Sequence, residues 1–370
     1  GWQNRQFLRL RTSKAKGNLP MTGKYMAYVG SYSYTGKAKG ITVYDVDVEK
    51  GTFKERCEVE VDNSSYVTAS NDNRTLYSVA DEGVVAFRIL ENGSLSRLNS
   101  AKTKGMRACH LSMDKEDRYV FVSGFHDGKA TVLRLRKDGG VGEIVDGVFH
   151  KGLGSVAERN FRPHVTCCRR TPDNKYVMIV DSGLDQVKIY RFSEKDEHLV
   201  QVDTIPCEME SAPRNLRFSS DGKFFYLMYE QKNVIDVFTY ETGDRVPEIE
   251  KIQTISTMGE KHSSLAAACS LRFSPDEKHM FCSNAGDESV AVYSRDEKTG
   301  LLDMLCCLPI SGEYPKDAEF FPDNKFLVSL NHESNTMTFF HIDLEHGTMI
   351  MNGPAMKVNM PNCILFHKLG

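Results

Sequence analysis

Two residues of opposite charge, Arg214 and Glu230, are the side chains in this sequence whose types best suit catalysis at a carbonyl group. A guanidinium can bind a carboxylate through two parallel hydrogen bonds, or it can stabilise negative charge that develops on a carbonyl oxygen. A glutamate carboxylate can accept a proton from an attacking water, and the imidazole of His164 could do the same. These three residues are therefore the candidate catalytic groups.

Each candidate also has a purely structural interpretation. Glu230 follows the apolar run 224–229, and a carboxylate at the end of a buried strand often accepts hydrogen bonds from backbone amides. Arg214 could pair with Glu230 as an internal ion pair, and His164 could be a histidine with satisfied hydrogen bonds at the rim. The residue types alone leave these alternatives open.

Metal-assisted chemistry is the other route to the same kind of reaction. The side chains with suitable oxygen or nitrogen donors are Asp181, Glu230, Asn284 and His164. A thiolate zinc cage is not expected, because no Cys-x-x-Cys spacing occurs and adjacent cysteines on a strand point to opposite faces. We expect neither a metal nor another cofactor.

The candidate residues lie in a stretch that repeats one structural unit. The first copy runs from Arg162 to Gly183 and the second from Pro213 to Glu230. Each copy has a short strand, a tight polar turn such as Pro172-Asp173-Asn174, and an apolar strand that ends on a polar residue. Such a unit cannot bury both of its faces alone, so the copies must stack on one another.

Seven copies follow one another at intervals of roughly 43 to 57 residues, the range of a four-stranded propeller blade. Their apolar second strands are expected at residues 24–32, 75–80, 119–124, 176–180, 224–229, 280–284 and 326–331. No long segment has a helical period, so the sequence predicts an all-β fold, a single seven-bladed β-propeller spanning residues 21–370. The last strand, 362–367, is expected to pair with the first blade and close the ring.

Residues 1–20 carry five basic side chains and no acidic one, and they match nothing later in the chain. No apolar segment of the kind found in a signal peptide follows them. We therefore expect residues 1–20 to form an N-terminal extension outside the propeller domain, either disordered or artificially appended.

The composition argues against several classes of partner. A net charge of −3 over 370 residues provides no basic field for nucleic acid, and no apolar run is long enough to span a membrane. The ten cysteines are spread through apolar strands, where they are expected to act as small buried hydrophobic residues rather than disulfide partners. Reduced thiols indicate a cytoplasmic protein.

With the repeats identified, residues 24–368 resemble the seven-bladed lactonase propellers, which include a 6-phosphogluconolactonase type and the fungal carboxy-cis,cis-muconate lactonizing enzymes. The segments that carry the resemblance are Tyr28-Val29-Gly30-Ser31-Tyr32, Cys109-His110-Leu111-Ser112, Pro163-His164, 181–187, Pro213-Arg214 with Glu230, and Asn284. The resemblance implies a metal-independent enzyme. It also implies functional residues on one rim of the central channel, at the first strands and at the ends of the second strands.

Two positions depart from the family's pattern. The family usually has a histidine where this chain has Thr166, and His164 lies two residues earlier. Many relatives have an arginine where this chain has Ala285. Side chains two apart share one face of a strand, so His164 could reach the channel at a different depth.

The remaining expectations concern substrate binding. Lys316 replaces a family arginine and offers a point charge instead of a planar fork. An anionic substrate would therefore depend on Arg214, Lys316 and Arg162. The other residues considered as substrate contacts are His110, Thr166, Asp181, Asn284 and His332. Asp181 and Asn284 recur by position in the repeats, which favours a structural role for these two.

Three functions are consistent with these observations. The leading one is a cytoplasmic lactonase acting on a small anionic sugar-acid lactone, such as 6-phosphogluconolactone, as a monomer or weak homodimer. The second is a carboxy-muconate cycloisomerase-like reaction on an unsaturated dicarboxylate, which the neutral Ala285 counts against. The third is a propeller that has lost catalysis and binds a ligand or a protein, for which Thr166 and Ala285 are the evidence.

Overall fold

The computed structural model describes residues 24–152 and 162–370, so the predicted extension of residues 1–20 lies outside the described residues. In the described ranges the chain forms seven antiparallel sheets and no α-helix. No helix that could cross a membrane is therefore found in this part of the chain. The all-β, seven-bladed prediction is confirmed.

Blade 1 consists of β1 Tyr25–Ser31, β2 Gly40–Asp47, β3 Thr52–Glu60 and the last strand of the chain, β29 Pro361–Lys368. Blade 2 consists of β4 Val67–Ala69, β5 Thr75–Ala80, β6 Gly83–Ile89 and β7 Leu95–Lys102. Blade 3 consists of β8 His110–Met113, β9 Tyr119–Gly124, β10 Lys129–Leu135 and β11 Val141–Phe149. Blade 4 consists of β12 Val165–Arg170, β13 Tyr176–Asp181, β14 Gln186–Arg191 and β15 Val200–Pro206.

Blade 5 consists of β16 Pro213–Phe218, β17 Phe224–Tyr229, β18 Val234–Glu241 and β19 Glu248–Ser256. Blade 6 consists of β20 Ala267–Phe273, β21 His279–Ala285, β22 Ser289–Arg295 and β23 Leu302–Pro309. Blade 7 consists of β24 Pro315–Phe320, β25 Phe326–Asn331, β26 Thr336–Asp343, β27 Thr348–Met351 and the short β28 Met356–Lys357.

The ring is closed by the C-terminal strand. In blades 2 to 7 the first strand of each blade is the innermost, and in blade 1 that place is taken by β29, which pairs with β1 from Tyr25↔Lys368 to Ser31↔Pro361. The innermost strands contact one another in the circle β29, β4, β8, β12, β16, β20, β24 and back to β29. The prediction that the last strand completes the first blade is confirmed.

The second strands are apolar on both faces because each lies between two other blades. On β13, Val177 and Ile179 pack against blade 3, whereas Met178 and Val180 pack against blade 5. Successive side chains of a strand point to opposite sides, so both sides must be apolar. Among the described residues, one hydrophobic cluster fills each of the seven interfaces between blades.

The polar turn after each innermost strand is built from an aspartate and a residue with positive φ. In blade 4, Asp173 Oδ1 accepts hydrogen bonds from the Thr171 hydroxyl and from the backbone N–H of Lys175, and Asn174 has φ of 60°. Asparagine and glycine adopt this left-handed conformation at low cost. The equivalent left-handed residues of the other described turns are Asn73, Asp117, Gly222, Glu277 and Asn324. The turn signals in the sequence therefore mark one end of the channel.

Candidate active site

A β-bulge at one equivalent position places the side chains that line the central channel. In five innermost strands of the described chain, the register with the second strand skips one residue near the start of the strand. The skipped residues are Thr166, Arg214, Cys269, Lys316 and Asn362. A bulge re-aims the side chain of the extra residue, and all five of these residues line the central cavity.

Arg214 and Glu230 meet at this end of the channel. Arg214 is the bulged residue of β16, and Glu230 directly follows β17, which pairs with β16. The Arg214 Nη1 atom lies 3.0 Å from Glu230 Oε1, and each side chain retains 24% of its exposure. The same Nη1 donates to the carbonyl oxygen of Ala268 at 3.3 Å. The pair is therefore fixed in place and still reachable by solvent.

The environment of Arg214 keeps its guanidinium charged. Burial opposes the charge, but the neighbouring Cys269 and Glu230 outweigh burial, and the pKa of Arg214 is raised above its ordinary value. Thr166 contributes to its position, because the Thr166 hydroxyl donates to the Arg214 carbonyl oxygen at 2.7 Å. Thr166 thus supports the site through the backbone of the neighbouring blade.

Lys316 provides a second positive charge on the same rim. Its Nζ lies 4.8 Å from the ring centroid of Tyr32 and 3.5 Å from the Tyr32 hydroxyl. Burial and the charge of Arg214 lower the pKa of Lys316, against an opposing effect of Tyr32. Within the described residues no carboxylate forms an ion pair with Lys316. An ammonium group of this kind is available to bind an anion.

Aromatic side chains complete the rim next to Lys316. The rings of Tyr32 and His332 meet edge to face with centroids 5.4 Å apart, and the centroid of Tyr314 lies 6.2 Å from that of His332. Burial and Lys316 lower the pKa of His332 to about 4, so its imidazole is neutral near pH 7. The proximity of Cys269 and burial raise the pKa of Tyr314 to about 12, so its phenol remains a hydrogen-bond donor. His332 therefore lies on the rim, as predicted.

Tyr32 and Tyr314 were not among the predicted site residues. Tyr32 directly follows the second strand of its blade, as Glu230 and His332 do in theirs, and this shared position could have indicated it. Tyr314 precedes β24 with φ of 62°, and its N–H donates to a carboxylate oxygen of Glu288 at 2.6 Å. No local pattern in the sequence indicates that backbone conformation.

His164 does not join the Arg214–Glu230 pair. Its Nδ1 lies 2.7 Å from the carbonyl oxygen of Phe125, and its ring stacks on the Phe125 ring with centroids 4.1 Å apart. Its backbone N–H donates to Asp181 Oδ1, and the residue is buried. The structure shows no contact between His164 and either Arg214 or Glu230. Because the bulge of β12 lies at Thr166, the side chain of Thr166, and not that of His164, lines the central cavity.

Asp181 and Asn284 do not lie on the rim, where the sequence placed them as possible substrate contacts. Both residues are fully buried at the ends of their second strands. Asp181 accepts hydrogen bonds from His150 Nδ1 at 2.8 Å and from the N–H groups of Gly183 and Leu184. Asn284 Nδ2 donates to the Thr257 carbonyl oxygen at 2.7 Å. Both side chains hold loops through these hydrogen bonds, which is the structural role that their recurring position in the repeats favours.

His110 lies deeper than predicted. It pairs with Ser123 in the regular part of β8, packs against the Tyr66 ring at a tilt with centroids 4.6 Å apart, and has its Nε2 3.3 Å from Arg169 Nη2. It therefore lines the central cavity together with the bulge residues, next to Arg169. That cavity has a volume of about 80 Å³, room for a few waters at about 30 Å³ each but not for a six-carbon lactone. A substrate must bind above it.

Arg162 and Ala285 flank other parts of this face. Arg162 is exposed at the edge of a described range, with its carbonyl oxygen against Gly183. Ala285 is buried at the end of β21 and supplies no charge. In residues 24–152 and 162–370, no three side chains of His, Cys, Asp or Glu are grouped so that they could hold a metal ion.

Comparison with known proteins gives a consistent result. The family described as "Lactonase, 7-bladed beta-propeller" matches residues 26–366. The 6-phosphogluconolactonase of Bacillus subtilis (strain 168) is 29% identical over 93% of this chain and 98% of its own, and that of Formosa agariphila is 25% identical over 90% and 96%. The structure of a periplasmic gluconolactonase of Pseudomonas aeruginosa superposes with a TM-score of 0.86 at 26% identity, covering 94% of this chain and 100% of that one.

Proposed function

The chain belongs to the family of seven-bladed β-propeller lactonases, and from this premise we propose that it hydrolyses a sugar-acid lactone, with 6-phosphogluconolactone as the substrate. The observation that carries the proposal is the solvent-reachable Arg214–Glu230 pair, with its 3.0 Å contact, on the same rim as Lys316. The pair suits chemistry at an ester carbonyl, and Lys316 suits an anionic substituent. The names of the Bacillus subtilis and Formosa agariphila relatives support the phosphorylated substrate.

In the proposed reaction, Glu230 acts as the base. Its carboxylate accepts a proton from water while the water oxygen bonds to the lactone carbonyl carbon. Arg214 stabilises the negative charge that develops on the carbonyl oxygen. The tetrahedral adduct then collapses: the bond between that carbon and the ring oxygen breaks, and the ring oxygen takes the proton from Glu230. The open-chain acid releases its own proton to solvent.

The surrounding residues would hold and orient the substrate. Lys316 binds the phosphate, and the Tyr314 phenol and the neutral His332 imidazole offer hydrogen bonds to sugar hydroxyls. A cycloisomerase reaction on a dicarboxylate gains no support from the rim, because Ala285 is apolar and buried. The comparisons likewise favour lactone hydrolysis over a binding-only propeller.

The experiment is hydrolysis of 6-phosphogluconolactone by Arg214→Ala and Glu230→Gln, with spontaneous hydrolysis measured and subtracted. We expect each variant to lose about 10²- to 10³-fold in kcat/KM, the usual effect of removing an oxyanion donor or a general base. Arg191→Ala and Glu248→Gln, at exposed positions of outer strands, are the matched controls and should keep full activity. Full activity in the rim variants, or no acceleration by the wild type, would overturn the assignment.

We also infer a cytoplasmic, monomeric or weakly dimeric protein. The support for the compartment is that all ten cysteines are free thiols in the structure, although burial is less uniform than predicted: Cys57 is exposed, and Cys109, Cys207, Cys306 and Cys307 are only half-buried. A relative in Pseudomonas aeruginosa is named periplasmic, so cell fractionation is the decisive measurement for the compartment. Light scattering of the purified chain measures its oligomeric state.

A further inference from the structure

A second group of basic side chains lies further along the channel. Arg169 on β12, Arg217 on β16 and Arg272 on β20 occupy equivalent positions, each three residues after the bulge of its strand. Residues at alternate positions share one face of a strand, and the bulge shifts that alternation so that these arginines also face the channel. They form a layer beyond the rim residues and His110.

These three arginines differ in how their charge is compensated. Arg272 contacts both oxygens of Asp317, at 3.0 and 2.6 Å, and Glu319 at 2.9 Å. Arg169 donates from Nε to the Leu216 carbonyl oxygen at 2.8 Å, and Arg217 donates from Nε to the Leu271 carbonyl oxygen at 2.5 Å. In the described part of the chain neither Arg169 nor Arg217 forms an ion pair with a carboxylate.

The positive charges of Arg169, Arg217 and Arg272 shift the pKa values of neighbouring groups. Burial and the adjacent Arg169 lower the pKa of Arg217 to about 10, although the nearby Tyr66 and Glu319 oppose this in part. Burial, followed by the charges of Arg169, Arg217 and Arg272, holds the pKa of His110 well below its usual range. A cluster of like charges in a partly buried site is unfavourable unless an anion approaches it.

A cavity of about 380 Å³ opens next to Arg169 and Arg217 at the other mouth of the channel. The turns that follow β12 and β16 border it, whereas the Arg214 site lies at the beginning of these strands. Its charged lining residues are Lys115, Arg169, Arg170 and Arg217, and the described lining includes no aspartate or glutamate. Of these four, Arg170 has its charge compensated by two carboxylates, Asp114 at 3.3 Å and Glu194 at 3.0 Å.

Acidic residues in the turns around this mouth are engaged elsewhere. Glu277 Oε1 accepts the N–H of Ser220 at 2.8 Å, and Glu116 Oε2 accepts from Asn174 Nδ2 at 2.8 Å. Each of these bonds links the turns of two neighbouring blades. These two carboxylates join neighbouring turns, and neither forms an ion pair with Lys115, Arg169 or Arg217.

We propose that this opposite mouth of the channel is a binding site for a phosphate group, with the guanidinium groups of Arg169 and Arg217 at its base and Lys115 at its entrance. A phosphate dianion matches in charge the two arginines that form no ion pair with a carboxylate, and its oxygens suit planar guanidinium donors. The cavity admits either inorganic phosphate or the phosphate end of a sugar phosphate. The proposed phosphate site lies at the opposite end of the channel from Arg214 and Glu230, and it does not depend on the proposed lactone hydrolysis.

Calorimetric titration with inorganic phosphate and, separately, with 6-phosphogluconate tests the site. Both titrations use the Arg214→Ala/Lys316→Met double variant, which removes the phosphate-binding charges of the rim. Into this background we introduce Arg217→Met, Lys115→Met or, as the matched control, Arg191→Met at an exposed end of β14. Lys115 is exposed, so its variant tests the proposal even if Arg217→Met does not fold.

We expect the double variant to bind one phosphate equivalent, Arg217→Met to weaken this binding at least tenfold, Lys115→Met to weaken it several-fold, and Arg191→Met to leave it unchanged. A similar loss for both ligands identifies the phosphate group as the recognised element, whereas binding of 6-phosphogluconate alone identifies a sugar phosphate. The proposal is overturned if the double variant binds neither ligand, or if Arg217→Met and Lys115→Met bind as tightly as the control.

Discussion

At the scale of single residues, the bulge position carries the chemistry. Arg214, Cys269 and Lys316 occupy it in three consecutive blades, so one backbone feature presents a guanidinium, a thiol and an ammonium to the same cavity. Their different side chains, and not different folds, determine what the rim can bind. Thr166 at the equivalent place in blade 4 is neutral and instead bonds to the Arg214 backbone.

The role of Lys316 can be tested by separating phosphorylated from unphosphorylated substrates. Lys316→Met keeps most of the side-chain volume but removes the charge, so we expect KM for 6-phosphogluconolactone to rise about tenfold or more, the effect of losing roughly 1.4 kcal/mol of charge-assisted binding. KM for unphosphorylated gluconolactone should change little. Lys251→Met, at an exposed position of β19, is the control. Equal effects on both lactones would contradict a phosphate contact.

At the scale of elements, the turns after the innermost strands support the ring. Asp173 has the richest set of contacts: beyond its own turn, Oδ2 accepts hydrogen bonds from the hydroxyls of Tyr240, at 2.7 Å, and Thr242 in the next blade. Asp323 holds only its own turn among the described contacts, through the N–H of Lys325 at 3.0 Å. The same turn signal in the sequence thus corresponds to different contributions to stability.

We expect Asp173→Asn to lower the unfolding free energy by about 1–3 kcal/mol and Asp323→Asn by less than about 1 kcal/mol, because charge-assisted hydrogen bonds are the stronger ones. Burial opposes the charge of Asp173, but hydrogen bonds from Thr171, Thr242 and Tyr240 outweigh it and lower its pKa. The stabilisation of the fold by the Asp173 carboxylate is therefore complete above the ordinary carboxyl pKa, and it is lost as the pH falls through the lowered pKa of Asp173.

Urea denaturation of wild type and Asp173→Asn between neutral and acidic pH measures this difference. The two unfolding free energies should converge on acidification. A constant gap across that range would show that the carboxylate charge does not contribute.

At the scale of the whole molecule, stability depends on closing the ring with β29. Ile364 on this strand is fully buried between blades 7 and 1, together with Val29 and Val328. An opened ring would expose the innermost strands of both blades to water. The contacts of β29 are also the most distant in sequence that the fold contains, since they join the two ends of the described chain.

Ile364→Ala should lower the unfolding free energy by about 2–5 kcal/mol, the usual cost of truncating a buried aliphatic side chain. Ile350→Ala makes the same chemical change on the outer strand β27, where the residue is 67% exposed, and should cost less than about 0.5 kcal/mol. Equal denaturation midpoints for the two variants would show that ring closure does not depend on this packing.

The number of blades and the closure of the ring could be predicted from the local sequence. The apolar second strands, the aspartate turns and their repeat length led to seven blades, and a last strand without a later partner led to ring closure. These features are readable because they depend on hydrophobic alternation and turn chemistry within a few residues. Arg214, Glu230, Lys316 and His332 were placed on the rim for the same reason, since each lies at a strand end.

The tertiary structure alone decided which polar residues at strand ends face the channel. Asp181 and Asn284 are polar residues near strand ends, as Glu230 is, but each lies one residue earlier in its strand. Asp181 pairs with Val165 and Asn284 with Ala268, as Tyr229 pairs with Pro213. Their side chains are therefore buried and bond to loops, while His110 lies beside Arg169 and His164 stacks on Phe125.

The physical reason is that successive side chains of a strand face opposite sides, so a shift of one residue decides which side chain faces the channel. On the innermost strand β12 a bulge makes that shift and places Thr166, not His164, in the central cavity. Contacts between blades also take part, since the hydroxyl of the bulged Thr166 donates to the carbonyl oxygen of the bulged Arg214, which is distant from it in sequence.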